Sequence, residues 1–253
     1  MNAAVPPYEL KSDGFLTPQA MTGARFAGRV PGSLLLTFHY NSDIFAPFAA
    51  GRDAVKCPWY REDYSPVSLK GTDKGWYILP GTGAPALMYD LENLRACGAR
   101  RFVLFGKAGF LRRTDADLAM PRLSYIDEGT SAHYIGRKES VGLDSALYGE
   151  VKKAMEDLGC IVSEDPVWTT DAIYRETPGR IEYFKERGCL SVDMESSAFF
   201  SFCGRYGLEG ASVLYKSDSF LRDKWVYHGA DFNSAALTEG KIIEALLNAI
   251  RST

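Results

Sequence analysis

The chain has 253 residues, 46% hydrophobic and 24% charged, with a net charge of −3 and a pI near 5.7. That is the composition of one α/β domain of ordinary size. It lacks the basic excess of nucleic-acid binders, and its apolar runs, such as Ser33–Phe38, are far shorter than a membrane span.

Five cysteines (57, 97, 160, 189, 203) show no CxxC spacing, and three histidines (39, 133, 228) lie far apart. Reduced thiols, no metal site and no cofactor are expected. Met1–Pro7 has no basic segment followed by an apolar one, so a cytoplasmic protein without a secretory signal is expected.

Residues 1–29 are rich in Gly, Pro, Ala and polar residues. They read as an arm with little regular structure, laid on the domain or on a partner subunit, and the domain proper spans 30–253. Leu34–Phe38 follows Pro31-Gly32 and reads as a buried strand. Asn41-Ser42-Asp43 offers helix-capping chemistry ahead of Ile44-Phe45. Residues 51–75, polar and aromatic with Trp59, Tyr60 and Tyr64, read as a loop or hairpin, and Trp76–Leu79 as a strand.

A rhythm of helix, glycine and strand then occurs four times. Pro85–Cys97 places Leu87, Met88, Leu91 and Leu94 at helical spacing, Gly98 stops it, and Arg101–Phe105 is a strand ending in a loop, Gly106-Lys-Ala-Gly109. Asp144 caps a second helix that Gly159 stops, before the strand Cys160–Val162. Thr177-Pro178 opens a third, stopped by Gly188 and followed by the strand Leu190–Val192. The fourth runs from about Glu195 to Tyr206, stops at Gly207 and leads into the strand Ala211–Lys216. An amphipathic helix from Leu237 to Ile250 closes the chain. This is the pattern of an α/β domain with a mostly parallel central sheet flanked by helices on both faces.

In such sheets ligands sit beyond the carboxyl ends of the strands. Gly106–Gly109, Asp193–Glu195 and Ser217-Asp218 all follow strands, so all three are candidates to meet in one site. Asp193 and Glu195, two apart, point to one side of an extended segment. Helix capping explains them about as well as function does. Asp218 is either a turn residue or a general acid. The backbone of Gly106–Gly109, with Lys107, is a candidate anion cradle, though tight turns look the same. Two polar segments also stand out: Asp127–Tyr134 with His133, otherwise read as a solvated loop, and Thr169–Glu176, otherwise read as a turn into the helix at Thr177. Neither a dinucleotide fingerprint nor Gly-x-Ser-x-Gly is present.

The order of these segments resembles the purine nucleoside phosphorylase and uridine phosphorylase superfamily over about residues 78–250. Pro80–Pro85 looks like its glycine-rich turn, Cys97–Phe110 its phosphate-side strand and loop, Val192–Ala198 its Glu-Met-Glu ribose motif, and Ser217-Asp218 its base-protonating pair. Asp127–Tyr134 is close to a segment of uridine phosphorylase-like members. The resemblance implies a three-layer nucleoside phosphorylase-like fold and cleavage of an N-glycosidic bond in a purine or pyrimidine nucleoside. Phosphate would be the co-substrate and the assembly a homo-oligomer. It makes Asp218 the proton donor to the base and Glu195 the group that grips the sugar, with Asp193 beside it and Met194 beneath the ribose. Tyr174 would stack on the base, Arg175 and Glu176 would read its edge, and His133 would contact sugar or base.

The sequence departs from the family at four places, one being the first acid of Glu-Met-Glu, which is Asp193 and one methylene shorter. Leu104 stands where the phosphorylases have an arginine. Lys107 stands where they have a hydroxyl residue, and Gly106 precedes it. The early Gly-Asp-Pro phosphate loop is not recognisable, Pro31-Gly32-Ser33 being at best a remnant. Lys107 would bind inorganic phosphate or a phosphate already on a nucleotide substrate. Hydrolysis on the same fold, and non-catalytic nucleoside binding, are the alternatives.

Overall fold

The computed structural model describes residues 8–12, 14–38, 43–51, 53–59, 63–221, 224–229, 232 and 237–250. Asn41, Ser42 and Tyr60, singled out in the sequence, lie outside them. The arm carries a π-helical turn, Gln19–Gly23, and a short α1 (Ala24–Phe26). Then come β1 (Ser33–Phe38), α2 (Ala46–Gly51), β2 (Ala54–Lys56), β3 (Val67–Leu69) and β4 (Lys74–Leu79). The middle of the chain holds α3 (Ala84–Ala96), β5 (Arg101–Phe110), β6 (Leu118–Ala119), β7 (Leu123–Asp127) and α4 (Ala132–Ile135). After these come β8 (Ser140–Gly142), α5 (Ala146–Asp157), β9 (Val162–Ser163) and β10 (Val167–Thr170). A 3-10 turn, Ile173–Arg175, leads to α6 (Pro178–Glu186), β11 (Ser191–Asp193) and α7 (Ser196–Tyr206). The last elements are β12 (Glu209–Leu221), β13 (Lys224–Tyr227) and α8 (Glu239–Ala249).

Every strand among the described residues joins one mixed sheet, whose main path is β2-β3-β4-β1-β5-β11-β10-β7-β8. Its core is parallel: β1 lies between β4 and β5, and β12 follows β5 from Glu209↔Arg101 to Ser219↔Phe110. β5 outruns β1, and its free end pairs antiparallel with β11, Val192 opposite Gly109. β5 is therefore the strand on which the two halves of the sheet meet.

Alternation along β1 and β5 divides the core in two. Leu34, Leu36, Phe102 and Leu104 pack under α3 and α7, with Leu87, Leu91, Phe199 and Phe202. Leu35, Val103 and Phe105 pack on the other face with Val151 of α5 and Ile243 and Leu246 of α8. Both faces are covered, which is why Leu34–Phe38 reads as an unbroken apolar run. The result is the three-layer α/β fold. No helix among the described residues is long and apolar enough to cross a membrane. The described part of the arm lies on its own domain: Thr22 Oγ1 donates to Asn93 Oδ1 of α3 at 3.2 Å, and the Gly28 N–H to the Cys97 carbonyl at 2.9 Å.

Four local readings change. Gly106–Gly109 is not a loop but the continuation of β5, because β12 pairs one edge of it and β11 the other. Its glycines serve close approach instead of a turn. A Cβ on Gly106 would lie 2.9 Å from Cε2 of the buried Phe38 ring, and one on Gly109 2.9 Å from Asp218 Oδ2. Gly106→Ala is accordingly expected to lower the unfolding free energy by about 1–3 kcal/mol, measured by urea denaturation. Ser217-Asp218 does not end its strand. It sits inside β12 at a bulge, where Lys216 pairs with Ala108 and Asp218 with Gly109, leaving Ser217 as the extra residue. The cap of α5 is Ser145, whose side chain accepts from the Tyr148 N–H, and not Asp144. Pro31-Gly32-Ser33 lies at the amino end of β1, and the Gly32 N–H is taken by Asp73 Oδ1 at 2.7 Å.

Candidate active site

The sheet opens into a cavity of about 670 Å³ where the carboxyl end of β1 meets β5, β11 and β12. That volume suits a ligand of nucleoside size. Phe38 of β1, Thr82 of the β4–α3 turn and Lys107–Gly109 of β5 line one part. Ile173, Tyr174 and Glu176, from the segment after β10, line another. Val192–Glu195 form the floor at the β11–α7 junction, and Ser217, Asp218, Phe220 and Trp225 come from β12 and β13.

The three chain segments expected to meet do meet here. Asp193, Met194, Glu195, Lys107, Tyr174, Glu176 and Asp218 all line the cavity. Gly106, Arg175 and His133 do not. Gly106 lies one residue back, against Phe38. Arg175 sits in the 3-10 turn between Tyr174 and Glu176 without joining the wall. His133 belongs to a second cavity of about 810 Å³, between the arm, α3 and the end of α7, where its ring meets Tyr8 edge-on at 4.8 Å.

The acids of Asp127–Tyr134 are engaged in holding the fold. Asp127 pairs with Arg180 and accepts from Trp168 Nε1. Glu128 accepts from the N–H groups of Thr130 and Ser131 and from Ser197 Oγ.

Asp193 and Glu195 are 6% and 7% exposed, so neither is a solvated helix-start acid. They divide the work between them. Asp193 does the capping: Oδ2 accepts from the Ser196 N–H at the start of α7 (2.9 Å), and Oδ1 from Thr169 Oγ1 (2.6 Å). Thr169 is held in turn by Ser124 Oγ at 2.9 Å and the Ser197 N–H at 3.0 Å. Glu195 makes no cap bond. Its Oε1 accepts from the Gly83 N–H at 2.5 Å and its Oε2 from the Met194 N–H at 3.2 Å. Gly83 has φ +91°, a conformation open to glycine at little cost, and this turn points its N–H at Glu195.

Burial first, and then the charge of Asp193, push the Glu195 carboxyl up to about 8; burial raises Asp193 as well. Glu176 is pushed up to about 7, again by burial first and then by the charge of Asp218. A carboxyl raised in the folded state adds stability that is complete below its unfolded value near 4.5 and is lost as pH climbs through the folded value. Urea midpoints should therefore fall between pH 5 and pH 8.5. In Glu195→Gln and Glu176→Gln that fall should be shallower; an unchanged slope would mean these carboxyls carry no buried proton.

Asp218 is held at both oxygens: Oδ1 accepts from Ser217 Oγ at 2.6 Å and Oδ2 from Trp225 Nε1 at 2.9 Å. Leu104 is 1% exposed and packs in the α3–α7 core, so Lys107 is the only Lys or Arg in the cavity wall among the described residues. Thr82, Trp225, Phe38 and Phe220 escaped the sequence reading. Nothing local marks them, because their place depends on strands paired across the sheet.

The arrangement sets the buried Glu195 carboxyl, a second carboxyl held by two donors, a lysine and an aromatic wall around one space of nucleoside size. Comparisons with known proteins place the chain in a family. The chain is 27% identical over 174 residues to the DeoD-type purine nucleoside phosphorylase of Clostridium perfringens (strain SM101 / Type A), covering 64% of this chain and 72% of that one. With the DeoD-type enzyme of Bacillus cytotoxicus it shares 26% over 159 residues, 60% and 63% of the two chains. The crystal structure of purine nucleoside phosphorylase from Toxoplasma gondii in complex with immucillin-H superposes with a TM-score of 0.69 at 18% identity, covering 88% of this chain and 91% of that one. At that identity the superposition speaks to the fold. The family model matches residues 60–249, and the chain belongs to the phosphorylase superfamily.

Proposed function

We propose that this chain is a nucleoside phosphorylase that splits the N-glycosidic bond of a purine nucleoside with phosphate, giving free base and ribose 1-phosphate. The observation that carries the reading is that Glu195, from the β11–α7 junction, and Asp218, from β12, line one cavity. The DeoD-type relatives support the purine side. So does Asp218, since protonation makes a purine a better leaving group.

In this reading Glu195, its oxygens already aimed by Gly83 and Met194, accepts from the ribose hydroxyls, and Met194 lies against the sugar. Hydroxyls that donate to Glu195 favour its charged form, so nucleoside binding draws the proton off it. Tyr174, 96% exposed at the rim, closes over the base, and Glu176, its carboxyl pushed up chiefly by burial, reads the base edge. Asp218 gives its proton to the base as the C1′–N bond breaks. Phosphate attacks C1′ from the opposite face, held by Lys107. The protein works as a homo-oligomer.

One observation favours a second reading, hydrolysis: the buried Leu104 occupies the place of the family's phosphate-side arginine. Incubation of purine and pyrimidine nucleosides with and without phosphate separates the two. The proposal expects base release only with phosphate, and ribose 1-phosphate as the sugar product. Equal release of base and free ribose without phosphate would select hydrolysis, and no release from any nucleoside would leave binding alone.

A further inference from the structure

We infer that Trp225 is a positioning residue for proton transfer, its indole N–H fixing the carboxyl group of Asp218 and supporting the charge left when the proton has gone to the base. This rests on the reading of Asp218 as the general acid.

The geometry is specific. β13 pairs with β12 alone among the described residues, with Asp218 opposite Tyr227 and Phe220 opposite Trp225. Trp225 thus reaches diagonally back, two residues along the partner strand, to place Nε1 2.9 Å from Asp218 Oδ2. The residue is 62% exposed, yet its one polar atom is committed to this carboxylate and it forms part of the cavity wall. A tryptophan that served only to fill the core would be buried. This one is held at the rim by a single directed bond and by its ring neighbour Tyr227, at 6.2 Å.

The type of donor matters. A cation here would favour the ionised carboxylate and oppose protonation before catalysis. An indole carries an N–H and no charge, so it orients the group in both protonation states. Ser217 supplies the complementary part. Its Oγ lies 2.6 Å from Asp218 Oδ1 and 3.5 Å from the Ala108 carbonyl. The hydroxyl hydrogen can turn to Ala108 while Asp218 holds a proton, and to Oδ1 once that proton has moved to the base. The balance is simple. The C1′–N bond breaks with its electron pair going to the base, the Asp218 proton neutralises that charge, and the carboxylate remains between two neutral donors.

Trp225→Phe tests this, since it keeps an aromatic wall and removes the N–H. The two substrates are inosine and 7-methylinosine, whose base already carries the positive charge that protonation would supply. With phosphate present, the expected result is a roughly 10- to 100-fold lower kcat on inosine, KM within about twofold, and no comparable loss on 7-methylinosine. An equal loss on both substrates, or no loss on either, overturns the inference, because a wall residue does not distinguish them. Asp218→Asn is measured alongside. It should show the same split, larger in size. If it slows both substrates alike, or neither is cleaved by the unaltered protein, the general-acid reading itself fails. A split in Asp218→Asn without one in Trp225→Phe removes Trp225 alone. Because β13 is an exposed edge strand, Trp225→Phe should leave the near-native circular dichroism of the fold in place.

Discussion

Asp218→Asn is expected to lower kcat on purine nucleosides by about 100- to 10,000-fold, with KM nearly unchanged, in a steady-state assay of base release. Asparagine has the shape of aspartate: its one carbonyl oxygen accepts from Trp225 Nε1 and its NH₂ donates to Ser217 Oγ, whose hydrogen turns to the Ala108 carbonyl, so β12 and its bulge are kept. It has no proton to give. The size of the loss follows from the leaving group: without protonation the base departs as an anion into a cavity with one lysine in its wall among the described residues. A loss below tenfold would mean that the base leaves without help from this end of the cavity.

Glu195→Gln should cost about 100-fold in kcat/KM, corresponding to roughly 3 kcal/mol of lost hydrogen bonding to a charged group. The amide changes two things at once. It cannot be a charged acceptor for two sugar hydroxyls, and its NH₂ must face either the Gly83 or the Met194 N–H, a donor against a donor. A nucleoside lacking both ribose hydroxyls separates these effects. On the unaltered protein it should lose about as much as the variant loses on the full nucleoside, and the two losses should not add. Additive losses would place Glu195 outside the sugar site.

Much of this could be read from the chain because it was local. The helices that Gly98, Gly159, Gly188 and Gly207 close are all present, each glycine having positive φ. Asp193-Met194-Glu195 was legible as a junction, since a strand ends and a helix begins there within three residues. The sequence could not say which acid caps and which faces the ligand. That depends on Thr169 and Gly83, residues brought in by other strands.

Thr169 and Thr170 read as the start of a turn into the helix at Thr177, yet they end β10, which is buried throughout. The Thr169 hydroxyl is tolerated because the chain Ser124–Thr169–Asp193 satisfies it internally, and Thr170 Oγ1 accepts from the Ala172 N–H at 3.3 Å. Gly106–Gly109 looked like a loop because glycine-rich stretches after strands commonly are. Here the pressure for glycine comes from Phe38 and Asp218, on strands far away in sequence. His133 was grouped with the site by its polar neighbours, but α4 carries it toward the arm. Trp225 left no trace in the sequence beyond being one of several aromatics, because its meaning lies in a diagonal contact between β12 and β13.

The placement of sugar and base at opposite ends of one cavity is the central claim, and a crystal structure of Asp218→Asn with inosine and phosphate tests it most directly. The account predicts inosine inside the cavity of about 670 Å³, ribose hydroxyls within hydrogen-bond distance of Glu195, the base edge at position 218 and phosphate beside Lys107. Inosine bound instead in the cavity of about 810 Å³ beside His133, or turned with its base on Glu195, would contradict it.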